Sequence, residues 1–364
     1  MSENFRLGYV LALDGMRGLA VIAVILYHSG FLPGGYLGVD VFFVLSGFLI
    51  TSLLLTEWQD TRAISLRRFY LRRVLRLLPA LLAVLLACYL FEIFYMRVPA
   101  GPSIERRILY AMSYAANWVQ IYLGKDGLTT LSVVWSLAIE EQFYLFWPIA
   151  LKWLLNRRLS LGRIALFVLA GIVAVTCRRF YLYSLGADYF RLLYGTDTHI
   201  DTVLTGCLLA LMVSNRPQIV DRFGFWVGPL FLAGLVLTAI FIWSDSSLFT
   251  VCMAYTSAAV FSSAAILGSL RPRSWIRFIL ESKILVWFGK LSYGIYLWQG
   301  TSAIYLYHYF GTSFLPRTII GLGLAVISYR WLERPCLTLK ERLPKAASGK
   351  QVLAESALAV ETAR

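Results

Sequence analysis

Long apolar runs separated by short polar connections follow one another along almost the whole chain. Most of these runs reach 18 residues or more, which lets an α-helix cross a hydrocarbon core roughly 30 Å thick. The pattern predicts an all-α integral membrane protein of about ten transmembrane helices, which form one domain over residues 1–340. The last stretch, 341–364, is rich in Ala, Ser, Glu and Lys and is predicted to be a disordered cytoplasmic tail. The predicted spans are 11–30, 36–56, 74–96, 132–154, 164–183, 201–215, 224–243, 248–269, 284–308 and 315–332.

Composition supports this pattern and excludes a soluble protein. Hydrophobic residues make up 59% of the chain and charged residues 15%, whereas a soluble domain carries about 25% charge. Such a chain has too little polar surface to cover its apolar runs. Residues 108–123 are also apolar but broken, so this stretch is predicted to lie in the interface or to re-enter the bilayer.

The net charge of +14 follows the predicted topology. With the N-terminus inside, 25 of the 34 lysines and arginines lie on the inner side and 8 on the outer side. This bias obeys the positive-inside rule and predicts that both termini are cytoplasmic. No nucleic-acid motif accompanies the charge, so we predict membrane lipids rather than nucleic acid as neighbours. The five cysteines have no metal-like spacing, and we predict no metal site.

The first predicted helix carries three polar side chains on one face. Arg17 and His28 are eleven residues apart, which returns to nearly the same face after about 16 Å of axial rise. Asp14 precedes Arg17 by three residues, where the two can form an ion pair. A charge inside a spanning helix costs about 2.5–3.5 kcal/mol and calls for a partner or a function. His28 fits either a general base or an interfacial side chain that bonds a loop, and spacing alone leaves both open.

Two further segments carry polar residues at costly positions. Asp40 lies just inside the second apolar run, where it either braces the outer helix end or takes part in chemistry. Arg72, Arg73 and Arg76 form a basic turn on the cytoplasmic side, just before Pro79. Guanidinium groups bind phosphates in bidentate fashion, but they also attract anionic lipids. A CoA or nucleotide phosphate and a lipid headgroup are therefore both open as ligands of this turn.

The fourth predicted span opens with adjacent carboxylates, Glu140 and Glu141, near its outer end. Neighbouring helical residues point about 100° apart, so one glutamate is expected to face the interior together with Ser136. The cost of two carboxylates at this depth favours a functional role. The other two histidines, His199 and His308, are predicted to be interfacial.

These segments together resemble the acyltransferase 3 family of membrane acyltransferases, over residues of about 10 to 340. The stretches that carry the resemblance are LDGMRGLAVIAVILYHSG, GGYLGVDVFFVLSGFLIT, RRFYLRRVLRLLP, WSLAIEEQFYLFWP, TDTHIDTVLTGCLLAL, GKLSYGIYLWQG and SYRWLERP. The resemblance implies transfer of an acyl group, usually acetyl, from cytoplasmic acyl-CoA to a hydroxyl on an extracytoplasmic or membrane-associated acceptor. It implies a multi-pass protein of the bacterial cytoplasmic membrane, with a glycan or lipid-linked sugar as the acceptor and acetyl-CoA as the donor substrate.

The family's motifs can be located residue by residue in this sequence. Its Arg-x10-His motif corresponds to Arg17 and His28, its Arg-x-x-Arg motif to Arg73 and Arg76, and its acidic pair to Glu140 and Glu141. Two positions depart from the family pattern. Gln299 stands where the family often has His, and His199 stands where it often has Arg, while Asp201 still matches.

The resulting hypothesis is that His28 takes the proton from the acceptor hydroxyl as this hydroxyl attacks the thioester. One of the two glutamates would orient the imidazole, and a covalent acyl-histidine or acyl-serine intermediate is the alternative. A transporter or flippase is the rival function; it predicts paired repeats with broken helices, which the sequence lacks. The predicted site consists of catalytic His28, Glu140, Glu141 and Asp40, donor-binding Arg17, Arg72, Arg73 and Arg76, and substrate-binding Asp14, Ser136 and Asp201.

Overall fold

The computed structural model of the protein describes residues 6–95, 101–124, 127–223, 247–311 and 313–341. Within these ranges every regular element is a helix, which confirms the predicted all-α class. The predicted span 224–243 and the tail from residue 342 onward lie outside the described residues. The described helices long and apolar enough to cross a membrane are Leu11–His28, Pro33–Thr61, Leu66–Phe94, Leu161–Ser184 and Cys252–Leu270.

Each predicted span outside 224–243 coincides with a described helix. A 3-10 turn over Pro33–Leu37 precedes the second helix, and a π turn over Tyr329–Glu333 follows the penultimate one. The helices are α1 (Leu11–His28), α2 (Gly38–Thr61), α3 (Leu66–Phe94), α4 (Ile104–Met112), α5 (Ala116–Leu123), α6 (Val134–Asn156), α7 (Leu161–Ser184), α8 (Tyr189–Tyr194), α9 (Thr196–His199), α10 (Asp201–Asn215), α11 (Ile219–Phe223), α12 (Ser247–Leu270), α13 (Trp275–Leu280), α14 (Lys283–Phe310), α15 (Phe314–Ser328) and α16 (Arg334–Glu341).

The third helix begins earlier than its apolar run. The span was predicted from residue 74, but α3 starts at Leu66, so the basic turn belongs to the same continuous helix as the apolar part. Pro79 lies inside α3 without ending it, as membrane helices tolerate proline where neighbouring groups satisfy the freed carbonyl. The arginines of this turn are therefore held rigidly with respect to the bundle.

The broken apolar stretch before α6 forms two short helices, α4 and α5. Tyr114, between them, has a left-handed backbone with φ of 54°, which no continuous helix allows. This break confirms the interruption predicted from sequence.

Glycines bring two pairs of helices into backbone contact. A Cβ atom built on Gly47 of α2 would lie 1.9 Å from the carbonyl oxygen of Val203, and one on Gly206 of α10 would lie 2.0 Å from that of Val44. Without a side chain on either glycine the two backbones touch, a packing mode typical of membrane helices. This contact sets the distance between α2, which carries Asp40, and the chain just before α10.

The first helix is packed against α14 in the same way. A Cβ atom on Gly18 would lie 1.9 Å from the carbonyl oxygen of Leu285, and one on Gly289 would lie 1.8 Å from that of Asp14. The polar face of α1 is therefore fixed against α14.

Candidate active site

Three adjoining cavities follow the polar face of α1. The basic cavity, of about 770 Å³, is lined by Asp14, Arg17, Arg68, Arg72, Arg73 and Arg76, among others. The neck cavity, of about 70 Å³, is lined by Arg17, Ser46, Arg73, Glu140, Tyr144 and Tyr296, among others. The aromatic cavity, of about 270 Å³, is lined by His28, Asp40, Trp135, Tyr194, His199 and Tyr296, among others. Arg17 and Arg73 border the first two cavities and Tyr296 borders the last two, so the three form one series.

The basic cavity gathers the arginines predicted to bind the donor. Arg17 lies 3.9 Å from Asp14, so the ion pair predicted from the three-residue spacing is confirmed as a loose one. The Tyr9 hydroxyl donates a hydrogen bond of 2.5 Å to the other oxygen of Asp14. The Nε atom of Arg72 is buried and has no hydrogen-bond partner among the described residues. The cavity therefore offers guanidinium groups whose donors are not fully used by the protein.

Arg73 is held at the boundary between the basic cavity and the neck cavity. Its guanidinium carbon lies 4.6 Å from the centroid of the Tyr144 ring and 5.7 Å from that of Phe69. Cation–π contact of this kind fixes the guanidinium plane while its N–H groups stay available at the edges.

The neck cavity contains Glu140 in a hydrogen-bonded chain. Ser46 donates to a carboxylate oxygen of Glu140 at 2.6 Å, and the Tyr144 hydroxyl donates to Ser46 at 3.0 Å. Ser136 lines this cavity too, and its hydroxyl lies 2.6 Å from that of Tyr296. Of the two adjacent glutamates, Glu140 lines the neck cavity and Glu141 lines none of the three cavities.

His28, the last residue of α1, is exposed and lines the aromatic cavity. The side chain of Gln299 on α14 lies within hydrogen-bonding reach of its imidazole. Glu140, one of the two glutamates predicted to orient this imidazole, is bonded to Ser46 at the neck cavity. It is α14 rather than α6 that packs against α1.

Asp40 and His199 form a buried pair on the far side of the aromatic cavity. Nε2 of His199 lies 2.8 Å from one carboxylate oxygen of Asp40, and both residues are 1% exposed. The interfacial position predicted for His199 is therefore wrong, because α9 turns its side chain inward onto α2 instead of toward the surface. The side chain of His308 lies outside the described residues.

Asp201 has its carboxylate fully engaged. Arg179 donates to both of its oxygens, at 3.0 and 2.9 Å, and also to the carbonyl of Thr198. Asp201 lines none of the three cavities, and in this arrangement its ion pair braces the chain that leads into α10.

Tyrosines close the aromatic cavity on the side of α8. Burial raises the pKa of Tyr189 and Tyr194 above the ordinary tyrosine value, so both hydroxyls stay neutral at physiological pH. Within the described ranges, no group of three or more His, Cys, Asp or Glu residues is arranged to hold a metal ion.

Sequence reasoning missed Ser46, Tyr144 and Trp135 as lining residues of the site, and it identified Gln299 only as a departure from the family pattern. None of the three missed residues differs in type from ordinary packing residues of a membrane helix. Their positions opposite Glu140, Arg73 and His28 depend on contacts between helices distant in sequence.

Comparison with known proteins assigns the family. The peptidoglycan O-acetyltransferase OatA of Listeria monocytogenes is 38% identical over 321 residues, which cover 80% of this chain and 49% of that protein. The O-acetyltransferase OatA of Staphylococcus aureus is 31% identical over 345 residues, 90% of this chain and 57% of that protein. The chain thus spans about half the length of the curated relatives it matches. No solved structure matches it. The sequence model of the acyltransferase 3 family, described as an acyltransferase domain, matches residues 10–329, and the chain belongs to this family.

Proposed function

We propose that this protein is a multi-pass O-acyltransferase of the bacterial cytoplasmic membrane. It moves an acetyl group from cytoplasmic acetyl-CoA to a hydroxyl of a glycan or lipid-linked sugar on the other side. The observation that carries this proposal is the series of three cavities, with arginines at one end and His28 at the other. The relatives support the acyl group and the acceptor class, since one of them is named a peptidoglycan O-acetyltransferase.

The proposed topology has ten transmembrane helices and cytoplasmic termini. Its support is the 25-to-8 distribution of lysines and arginines, together with the helices found at the predicted spans. In this orientation the basic cavity opens to the cytoplasm, where CoA is present, and the aromatic cavity opens to the outer side.

The donor would bind with its phosphates in the basic cavity and its acyl arm in the neck cavity. Arg17, Arg72, Arg73 and Arg76 supply bidentate donors for phosphate oxygens. The neck cavity, at about 70 Å³, suits an extended chain and not a nucleotide. The eleven-residue separation of Arg17 and His28 corresponds to about 16 Å along the helix axis, close to the span of a pantetheine arm.

His28 would act as the general base at the end of this path. It takes the proton from the acceptor hydroxyl as the hydroxyl oxygen attacks the thioester carbonyl. The new C–O bond forms, the C–S bond breaks, and the proton on the imidazole passes to the sulfur of the departing CoA. Gln299, in reach of the imidazole, positions the ring for both steps.

The test uses purified protein in lipid nanodiscs with acetyl-CoA labelled in the acetyl group. Wild-type protein is expected to bind the donor and to transfer label to a hydroxylated acceptor, while His28→Ala binds the donor without transferring label. A single turnover without acceptor separates the two chemistries. Protein-bound label that disappears in His28→Ala would replace direct transfer by an acyl-enzyme route.

The transporter interpretation makes the opposite prediction in the same preparation. Protein that neither binds nor consumes acetyl-CoA, but moves a lipid-linked sugar across the bilayer, would overturn the acyltransferase proposal.

A further inference from the structure

One carboxylate oxygen of Asp40 is left free inside the aromatic cavity. Asp40 is 1% exposed and lines this cavity, and its Oδ1 atom is bonded to His199. The other oxygen, Oδ2, accepts no hydrogen bond from any residue that the structure describes. A carboxylate oxygen that lines a cavity can accept a hydrogen bond from a bound ligand.

His199 determines the hydrogen-bonding character of this free oxygen. Its Nδ1 atom lies 2.7 Å from the carbonyl oxygen of Leu193, which can only accept, so Nδ1 carries a hydrogen. The hydrogen bond between Nε2 of His199 and Oδ1 of Asp40 contains one further proton, which is carried by one of these two atoms. In both cases Oδ2 carries no hydrogen and is a pure acceptor. The bound partner must therefore supply an O–H or N–H group.

The imidazole is clamped so that this arrangement is rigid. The His199 ring stacks on the Tyr255 ring at 4.0 Å between centroids, and the Phe43 ring meets it edge-on at 5.3 Å. His199 therefore acts as a positioning residue, which holds the Asp40 carboxylate in one orientation through the bond to Oδ1.

The walls of the cavity are aromatic and its volume is small. The Trp135 and Tyr194 rings lie 4.9 Å apart, and the Tyr27 and Tyr36 rings lie 5.4 Å apart. Aromatic faces are electronegative and attract the C–H face of a sugar ring, while its hydroxyls remain at the edges. The volume of about 270 Å³ is near the lower end of the roughly 300–1,000 Å³ typical of ligand pockets.

We propose that the aromatic cavity is a subsite for one pyranose ring of the acceptor, in which Oδ2 of Asp40 accepts a hydrogen bond from a second hydroxyl. The hydroxyl that is acylated faces His28, and the second one determines which sugar and which position are accepted. This inference rests on the proposed function, because it assigns the outer end of that site.

The experiment measures transfer of labelled acetyl by the full chain in nanodiscs. The acceptors are methyl glycosides of glucose, galactose and N-acetylglucosamine, their mono-deoxy analogues, and glycerol as an acyclic control. We expect wild-type protein to prefer a pyranoside. Removal of one hydroxyl, other than the acylated one, should lower kcat/KM about 10- to 100-fold, as expected for a lost hydrogen bond to a carboxylate.

Variants of the pair should change this preference without changing donor binding. The loss of kcat/KM caused by removing one hydroxyl is called here the deoxy penalty. Asp40→Asn keeps the shape of the side chain but is a weaker hydrogen-bond acceptor, so it should reduce the deoxy penalty severalfold, mainly through the KM for the sugar. Asp40→Leu should abolish the deoxy penalty. His199→Gln should also reduce the penalty, because Oδ2 is no longer held in place. The matched control is Glu92→Gln, which alters a buried carboxylate paired with Arg107 outside the cavities. It should lower Tm and leave the penalty unchanged.

The outcomes separate the subsite from the function on which it depends. An unchanged deoxy penalty in Asp40→Asn, or transfer to glycerol as fast as to any pyranoside, would overturn the subsite alone. Wild-type protein that binds acetyl-CoA but transfers acetyl to no pyranoside would also overturn the subsite. Wild-type protein that binds no acetyl-CoA would overturn the proposed function itself.

Discussion

The two ends of the cavity series are built from different chemistry. The basic cavity is large and lined by several arginines of intermediate burial, among them Arg17, whose side chain is 15% exposed. The aromatic cavity is about a third as large and places one buried carboxylate–imidazole pair among aromatic rings. The first suits a highly charged ligand that arrives from water and must leave again. The second suits a neutral, ring-shaped ligand whose position is read by a few hydrogen bonds.

The two ends also differ in how their charged side chains are paired. At the basic end several guanidinium groups share one large cavity, and Arg17 makes only a loose pair with Asp14, at 3.9 Å. Asp40 is buried and is stabilised by the hydrogen bond to His199, since an unpaired buried charge is strongly unfavourable. Changes at the basic end should therefore affect donor binding, and changes at the aromatic end should affect the acceptor and the chemical step.

The largest effect is expected from His28→Ala at the aromatic end. Loss of a general base should lower kcat by about 10²- to 10⁴-fold, with donor affinity unchanged because the arginines lie elsewhere. Initial rates of acetyl transfer and direct measurement of CoA binding test this separation. Ser29→Ala changes the next residue, whose hydroxyl bonds the Ile25 carbonyl, and should stay within about threefold of wild type. Residual activity within tenfold of wild type in His28→Ala would contradict the role of the imidazole.

The adjacent glutamates of α6 provide an internal comparison at the neck cavity. Glu140→Gln removes the charge that accepts from Ser46 and should lower kcat/KM about 10- to 100-fold. Glu141→Gln should stay within about threefold, because Glu141 lines none of the cavities. Both are measured as acetyl transfer at subsaturating donor. Equal losses in the two variants would mean that the neck cavity is not the path of the acyl arm.

A smaller effect is expected at the basic end from Arg73→Lys. Lysine cannot bind phosphate in bidentate fashion, so the KM for acetyl-CoA should rise about tenfold while the acceptor KM is unchanged. Arg157→Lys is the matched control, because Arg157 also lies over an aromatic ring, that of Trp153, but outside the cavities. Steady-state kinetics with each substrate varied in turn checks the prediction. A rise in the acceptor KM alone would place Arg73 at the wrong end.

The smallest effect is expected from Tyr194→Leu in the aromatic cavity. Loss of one aromatic face is worth about 0.5–1.5 kcal/mol, so the acceptor KM should rise about two- to tenfold without a change in the donor KM. Competition by a non-reactive sugar analogue measures the same loss directly. If the donor KM changes instead, the two ends are not independent.

The membrane character and the order of the helices could be predicted from the sequence because both depend on local composition. The apolar run that predicts 201–215 coincides with α10 (Asp201–Asn215), since hydrophobic length determines the helix that can form there. The start of α3 was misjudged for the same reason. Leu66 and the basic turn after it are helical without being apolar enough to count toward a span.

Pairings within one helix turn could also be predicted, whereas pairings between helices could not. The Asp14–Arg17 contact follows from a three-residue spacing. The bonds of Glu140 to Ser46 and of Asp40 to His199 join residues 94 and 159 positions apart. The Asp40–His199 bond depends on glycines such as Gly47 and Gly206, which let the backbones of α2 and α10 touch. The sequence thus determined which side chains with chemical potential lie in the bundle, and only the tertiary packing decided which of them face the same cavity.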